Sequence, residues 1–319
     1  MEWLPSAELS VLTARAAMAR RVRQFFLERD VLEVEVPQLD LFANTDPNMT
    51  TITASCDGRP VYLQTSPEYC MKRLLARDKI SIYSLAKAFR DGEISARHNP
   101  EFTMLEWYRV GLDWYQLMQE VAELVSDAVS IKKILPAATF TSYGEVFAEY
   151  LAVNPHIISD AELLAFTHAR IETGHQDLTR VECLDLLFSY FIEPHLGTDG
   201  VDFVYDYPAC MAALAVVEID DNGHAVARRF EAFIFGRELA NGYQELTDAE
   251  EQAERFAADE ALRLAKKLPL YQGDPRLIAA LKHGLPICSG VALGFDRMLM
   301  AALDVDNIEQ VLAFPYRPQ

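Results

Sequence analysis

The 319-residue sequence predicts an α+β fold, and three observations carry that expectation. Residues 82–89 and 102–110 are two strand patterns joined by a polar loop, a hairpin. Residues 10–29, 114–129 and 180–191 repeat apolar side chains at helical spacing. Further strand patterns follow at 201–207, 226–235 and 236–246, with a helix pattern at 248–267. Half the residues are apolar, so the chain can bury a sizeable core.

The hairpin organises the rest. Its first strand ends at Phe89-Arg90, and its loop holds Asp91-Gly92, Arg97-His98 and Asn99-Pro100, which is turn chemistry. On the returning strand Phe102, Met104, Glu106 and Tyr108 share one face by period-two alternation. A carboxylate inside so apolar a strand is costly unless paired or wet. A lone Glu there would read as a solvated surface acid. Arg90, Arg97 and His98 converging on the same hairpin favour instead a zwitterion, or a cation beside a polyphosphate.

The remaining elements follow in chain order. Val11, Ala14, Met18, Val22, Phe25 and Phe26 make residues 10–29 an amphipathic helix that Asp30 closes. Residues 31–37 alternate as a strand ending at Pro37. Residues 39–57 are polar and Thr-rich, a loop with short strand pieces, and 61–64 form a strand. Ser66 and Pro67 then suit a helix cap and first turn, which puts Glu68 at a helix N-terminus where the dipole favours its charge. Residues 114–129, 139–150, 161–172 and 180–191 read as helices; those after 136 look like an insertion within one domain. In the last of them Cys183, Leu186, Leu187, Tyr190 and Phe191 form the apolar side. Residues 248–267 run from acidic to basic, a solvated helix. Residues 288–297 are a strand leading into a helix at 298–303, and Gly290 and Gly294 permit close backbone approach.

Composition excludes several classes. A net charge of −19 gives no phosphate-binding footprint for nucleic acid. The five cysteines are scattered, without a C-x-x-C pair, which suits neither a disulfide framework nor a zinc site and points to a reducing compartment, the cytoplasm. His156, His168, His175 and His195 lack ligand spacing. The opening residues do not read as a signal peptide, and the longest apolar run, 209–217, is too short to span a bilayer.

Phe89-Arg90 followed by Arg97-His98-Asn99-Pro100-Glu101-Phe102-Thr103-Met104-Leu105-Glu106 resembles motif 2 of the class II aminoacyl-tRNA synthetases, lysyl subclass. Residues 10–37 resemble motif 1, a degenerate pattern. Gly290-Val291-Ala292-Leu293-Gly294-Phe295-Asp296-Arg297 resembles motif 3. The block Glu231 to Glu245 between them matches the lysyl pattern, and the order of all four makes the likeness specific. It covers nearly the whole chain. The resemblance implies the class II catalytic fold, a mainly antiparallel sheet flanked by helices, and a homodimer through motif 1. Two departures stand out. The acid after Arg90 is displaced to Glu93, which receives no role here, and too few residues precede motif 1 for an anticodon-binding barrel. Within the family the chain looks like the paralogues that ligate lysine to elongation factor P.

The resemblance also implies roles. Arg90 and Arg297 are the catalytic cations. ATP is held by Arg90, Arg97, His98, Phe102, Glu231, Glu238 and Arg297, with Glu231 and Glu238 as Mg²⁺ ligands; that ion keeps most of its waters and takes one or two carboxylates. Ser66 and Glu68 lie at the substrate's amino group, and Asn241, beside Tyr243, at its carboxylate. Glu106, Tyr108 and Glu245 take the distal ammonium. Ala292 stands where lysyl-tRNA synthetases carry glycine, and its methyl is expected near the substrate's backbone end. The substrate would be (R)-β-lysine or lysine, activated as an adenylate and passed to a lysine of elongation factor P, with no stable tRNA binding and no membrane. Three alternatives remain at this level: a compact enzyme charging tRNA, amide synthesis on a free amine, and a non-catalytic paralogue. The charge opposes the first, the Glu106–Tyr108–Glu245 set the second, and the intact ATP set the third.

Overall fold

The first helix sets the pattern of local causes. In the computed structural model, which describes residues 3–174 and 177–317, α1 (Leu9–Leu27) buries Ala14, Met18, Val22, Phe25 and Phe26 on one face. It stops where Asp30 turns left-handed at φ 53°. The strand expected at 31–37 is shorter: only β1 (Leu32–Glu33) pairs, although Val34 still donates its N–H to Tyr83 O at 2.8 Å. β2 (Leu39–Asp40), β3 (Thr53–Cys56) and β4 (Arg59–Leu63) follow. In α2 (Glu68–Asp78) the cap position falls on Pro67, not Ser66, whose Oγ lies 3.5 Å from the Glu68 N–H. Pro67, at φ −77° and ψ 0°, takes the cap position itself, so the serine is displaced one residue outward.

The hairpin strands are β5 (Ile82–Phe89) and β6 (Glu101–Val110), and α3 (Trp114–Val129) follows. The helix expected at 139–150 begins late. Residues Thr139–Ser142 form strand β7, because Thr-Phe-Thr has strand character and pairs in parallel with a later strand. Helix α4 (Tyr143–Leu151) then starts at the Ser142–Glu145 capping box. A second box, Ser159–Glu162, opens α5 (Asp160–His168), which ends four residues before the expected 172. In α6 (Arg180–Phe191) the buried side is Cys183, Leu184, Leu187 and Phe188, so the stripe is turned from the one expected and Tyr190 is exposed. His175 lies outside the described residues.

Strands β8 (Asp202–Pro208), β9 (Val217–Ile219), β10 (Ala225–Phe233) and β11 (Glu238–Gln244) come next. Asp248 caps α7 (Ala249–Ala265) by accepting from the N–H groups of Glu250 and Glu251. This helix is not solvated all round. Its Arg263 is buried and donates to the carbonyls of Asp46, Met49 and Pro269, with its guanidinium 4.1 Å from the Tyr271 ring centroid. Helix α8 (Pro275–Gly284) was not read from the sequence. Strand β12 (Cys288–Gly294) leads directly into α9 (Phe295–Leu303), which starts three residues earlier than its apolar pattern suggests. No helix of the described residues is long and apolar enough to cross a membrane.

The chain divides into two compact units. The first comprises Met1–Asp113, Glu123–Ile134 and Leu246–Gln319. Its principal ladder runs β1-β5-β6-β12, parallel only between β1 and β5, and a small antiparallel sheet runs β2-β4-β3. Phe26 of α1 stacks on Tyr83 of β5 with centroids 4.3 Å apart and meets Trp107 of β6 edge-on at 5.4 Å. Such aromatic pairs add about 0.5–1.5 kcal/mol beyond their area. The second unit comprises Trp114–Ala122 and Leu135–Glu245. Its ladder runs β11-β10-β8-β7, with β9 on β10. Tyr143, Phe147, Phe188, Tyr207 and Phe233 form its aromatic core. The helices expected around 136–200 belong to this unit.

The β10–β11 turn rests on the segment before β8. Phe235 and Gly236 donate to the carbonyls of Gly197 and Leu196 at 2.7 and 2.8 Å. Gly197 has φ +65°, and a Cβ there would lie 2.4 Å from Phe233 O. Strain and backbone overlap act together, so Gly197→Ala should destabilise the protein by about 2–3 kcal/mol. A urea melt of that variant with an unchanged midpoint would show that the turn does not rest there.

Candidate functional site

In the first unit the site is built on β6, which is paired on both sides. Glu106 faces Ser84 of β5 and Ala292 of β12; Tyr108 faces Ile82 and Gly290. Both backbones are therefore satisfied by the ladder, and the Glu106 carboxylate, 2% exposed, receives the Tyr108 hydroxyl at 2.8 Å. The two side chains share a face, as period-two alternation requires. Ala292 lies directly across from Glu106. Cross-strand partners have Cβ atoms about 4.5–5.5 Å apart. Its methyl thus stands beside the Glu106 carboxylate, the group assigned to the distal ammonium.

Arg90 sits where the hairpin strand leaves the ladder. Its N–H donates to Pro100 O, and the next N–H, of Asp91, donates to Thr50 O, both at 2.9 Å. The guanidinium carbon lies 5.2 Å from the centroid of Phe102, and Nη1 is 3.5 Å from Glu93 Oε1. Glu93, which received no role from the sequence, is therefore the acid that pairs with Arg90. Arg90 Nε is buried with no hydrogen-bond partner among the described residues. A buried guanidinium N–H left open is costly, and an anionic ligand would satisfy it.

The hairpin loop is held from several sides. Ser95 and His98 bond reciprocally through their backbones at 3.2 and 3.3 Å, and Arg97, whose side chain is exposed, donates its N–H to Ser95 Oγ at 3.1 Å. Ile308 N–H donates to Ala96 O, and Tyr316 N–H to Asn99 Oδ1, both at 2.8 Å. Arg297, in the first turn of α9, donates from Nη2 to His98 Nε2 at 2.7 Å. A guanidinium has no acceptor, so His98 Nε2 must carry the lone pair. The proton then sits on Nδ1 and is donated to Ser95 Oγ at 2.9 Å. Motif-2 and motif-3 residues thus meet side chain to side chain.

Glu68, at the start of α2, pairs with Lys72 at 2.7 Å, and Lys72 is 2% exposed. The i,i+4 spacing is the signal that could have predicted the pair. Lysine is almost never this buried without a partner. Glu68 therefore enters the site already sharing its charge.

In the second unit β10 and β11 pair Glu231 with Asn241 and Arg229 with Tyr243, so all four side chains share one face. A bulge after Ala232 shifts the register and brings Phe233 opposite Glu238. Glu231 accepts from the Tyr207 hydroxyl at 2.8 Å, from Arg229 Nη2, and from Asn241 Nδ2 at 3.4 Å. Burial, with the Glu238 charge beside it, pushes Glu231 up to about 7 against the pull of Arg229. Burial works against the Arg229 cation too, and Glu231, Tyr243 and Tyr207 outweigh it, raising its pKa. Neither Arg229 nor Tyr207 was singled out in the sequence; the i,i+2 spacing of Arg229 and Glu231 on a strand is the available signal. Asn241 Oδ1 is buried with no partner among the described residues. An open acceptor suits an ammonium or hydroxyl, and the side-chain amide must turn over to donate to a carboxylate. Glu245, buried at the end of β11, is bridged to Ala215. Among the described residues no group of three or more His, Cys, Asp or Glu side chains is placed to hold a metal. Glu231 and Glu238 are a pair of hard oxygen donors whose charges repel, which fits a divalent cation that keeps its waters.

Comparison with known proteins gives a consistent family. Residues 5–318 match the model of the class II tRNA synthetases (D, K and N). A Pectobacterium carotovorum protein named elongation factor P–(R)-β-lysine ligase is 43% identical over 98% of this chain and 97% of its own length. Proteins of the same name from Yersinia enterocolitica and Mannheimia succiniciproducens are also 43% identical, with the same coverage. The Arg297–His98 bond carries a direct test. ¹⁵N NMR of the neutral His98 ring should show the proton on Nδ1, and an Nε2–H tautomer would rule that bond out.

Proposed function

The chain belongs to the class II tRNA synthetase family, and from that premise we propose that it activates (R)-β-lysine, or lysine, with ATP and ligates it to a lysine side chain of elongation factor P. The observation that carries the reading is the Glu106–Tyr108 pair, a carboxylate buried in the centre of a fully paired ladder. Such a group calls for a cation, and a diamino acid supplies one at its distal end. The names of the full-length relatives support the acceptor.

Two transfers make up the reaction. A carboxylate oxygen of the amino acid attacks the α-phosphorus of ATP, the bond to the bridging oxygen breaks, and pyrophosphate leaves. The acceptor amine then attacks the acyl carbon, AMP leaves with the electron pair, and the amine loses a proton. Arg90, with Nε unsatisfied, neutralises the α-phosphate and the attacking carboxylate. Arg97, His98 and Arg297 face the leaving pyrophosphate; Arg297 must give up its bond to His98 Nε2 or share it. Phe102 offers adenine the ring face that Arg90 does not cover. Glu68 and Ser66 receive the amine near the reacting carboxyl, Asn241 and Tyr243 orient that end, and Glu106, Tyr108 and Glu245 take the distal ammonium. Glu231 and Glu238 would hold Mg²⁺, which when bound neutralises triphosphate charge. Catalysis of this kind is positioning and charge stabilisation.

Three further readings belong to this proposal. The enzyme works as a homodimer, supported by exposed Leu9 and Leu27 on α1 and Leu32 on β1, the segment that resembles motif 1. It forms no stable complex with tRNA, supported by the net charge of −19. It acts in the cytoplasm, where elongation factors work, as one catalytic domain whose second unit carries the helical insertion.

The deciding experiment is incubation with ATP, (R)-β-lysine and elongation factor P, followed by intact mass. One added lysyl unit on the factor is expected, together with substrate-dependent ATP–pyrophosphate exchange that Glu238→Gln abolishes. An unmodified factor and stable aminoacylation of tRNA instead would overturn the reading. Ala292→Gly should raise kcat/KM for α-lysine relative to β-lysine by roughly 10-fold or more, since one methyl's worth of fit discriminates about 10–200-fold. An unchanged ratio in the folded variant would leave Ala292 as a packing residue.

A further inference from the structure

Arg15 of α1 lies far in sequence from every residue assigned above. Its Nη1 bonds Asp296 Oδ1 at 2.5 Å and its Nη2 donates to Thr103 Oγ1 at 2.6 Å. The loop closes through the backbone, because Thr103 N–H donates to Asp296 Oδ2 at 2.6 Å. Asp296 is 2% exposed and Thr103 is buried. Asp296 stands in the first turn of α9, where the dipole favours its charge. Its chain neighbour is Arg297, and the chain neighbour of Thr103 is Phe102. The Arg15 guanidinium also lies 5.0 Å from the Phe295 ring centroid, on the other side of Asp296.

One planar fork therefore fixes a strand and a helix start of the proposed ATP site at once. A guanidinium reaches both acceptors because its N–H groups diverge in a rigid plane, which an ammonium cannot reproduce. Both Asp296 oxygens are engaged, so the first turn of α9 cannot rotate without breaking a charge-assisted bond. That turn aims Arg297 at His98. We propose that Arg15 is a positioning residue for ATP: through Asp296 and Thr103 it sets the orientation of Arg297 and Phe102, and it touches no substrate. The inference rests on the reading that Arg297 clamps the phosphates of ATP.

The test is a double-mutant cycle read by calorimetric ATP binding and by exchange kinetics. Arg15→Ala should raise the ATP Kd and KM roughly 10-fold and leave the KM for lysine within about two-fold. In an Arg297→Ala background its further effect on ATP affinity should be clearly smaller, limited to the part that runs through Thr103 to Phe102. Arg15→Lys, which keeps the charge and loses the fork, should fall between, and serves if Arg15→Ala does not fold. Losses that add across the cycle, or an equal rise in the KM for lysine, would make Arg15 a general structural residue and sink the inference. A wild-type enzyme that binds no ATP would instead remove the proposed function, and this inference with it.

Discussion

A buried carboxylate in the middle of a doubly paired strand is the constraint on which the first unit depends. Glu106 cannot relax toward water, because β6 is held by β5 on one side and β12 on the other. Moving its strand by one residue would turn every side chain of β6 to the opposite face. The register is fixed by the apolar partners Leu105 and Trp107, both fully buried, so the acid is carried into place by its neighbours' packing. Tyr108 supplies a hydrogen bond to it, and hydrogen bonds to charged groups are worth about 1.5–3 kcal/mol.

The second unit meets the same difficulty differently. Glu231 is half-buried on β10, and three donors converge on it: Arg229, Tyr207 and Asn241. Desolvation works against them, with nearby Glu238 adding to it, and raises the carboxyl toward neutrality. The protein thus holds one acid under opposing influences. Arg229 anchors this arrangement by donating also to Met211 O at 2.8 Å, so the cation cannot swing away with its partner.

The motifs were legible because they are local. The hairpin at 82–110, α3, α6 and the β10–β11 block could be read from alternation and turn residues, and the resemblance assigned them roles. What escaped the sequence is of two kinds. Some boundaries depend on tertiary pairing: Thr139–Ser142 adjoins a helical pattern, and its strand character is realised by pairing with β8. The supporting partners depend on long-range contacts with no local signature, as when Arg15 meets Asp296 or Arg263 meets Asp46. Glu93 lies between these cases. Its displacement by one position gives it no role by resemblance, yet a loop residue at i+3 still reaches Arg90.

The position of Ala292 shows how register refines a reading that resemblance begins. The resemblance implies a methyl where lysyl-tRNA synthetases carry hydrogen, but resemblance alone does not say what the methyl faces. Pairing with Glu106 does. If Glu106 takes the distal ammonium, a methyl beside it shortens the cavity along the side chain. A substrate whose amine is one carbon further from its carboxylate must then be held at both ends within a fixed length between fixed charges. The methyl selects by depth in that case, and discrimination between the isomers is carried by the position of the whole chain between Glu106 and Glu68. The i,i+4 bond from Lys72 fixes the second of those charges, and the ladder fixes the first. Selectivity would then depend on the rigidity of two carboxylates as much as on the one methyl of Ala292.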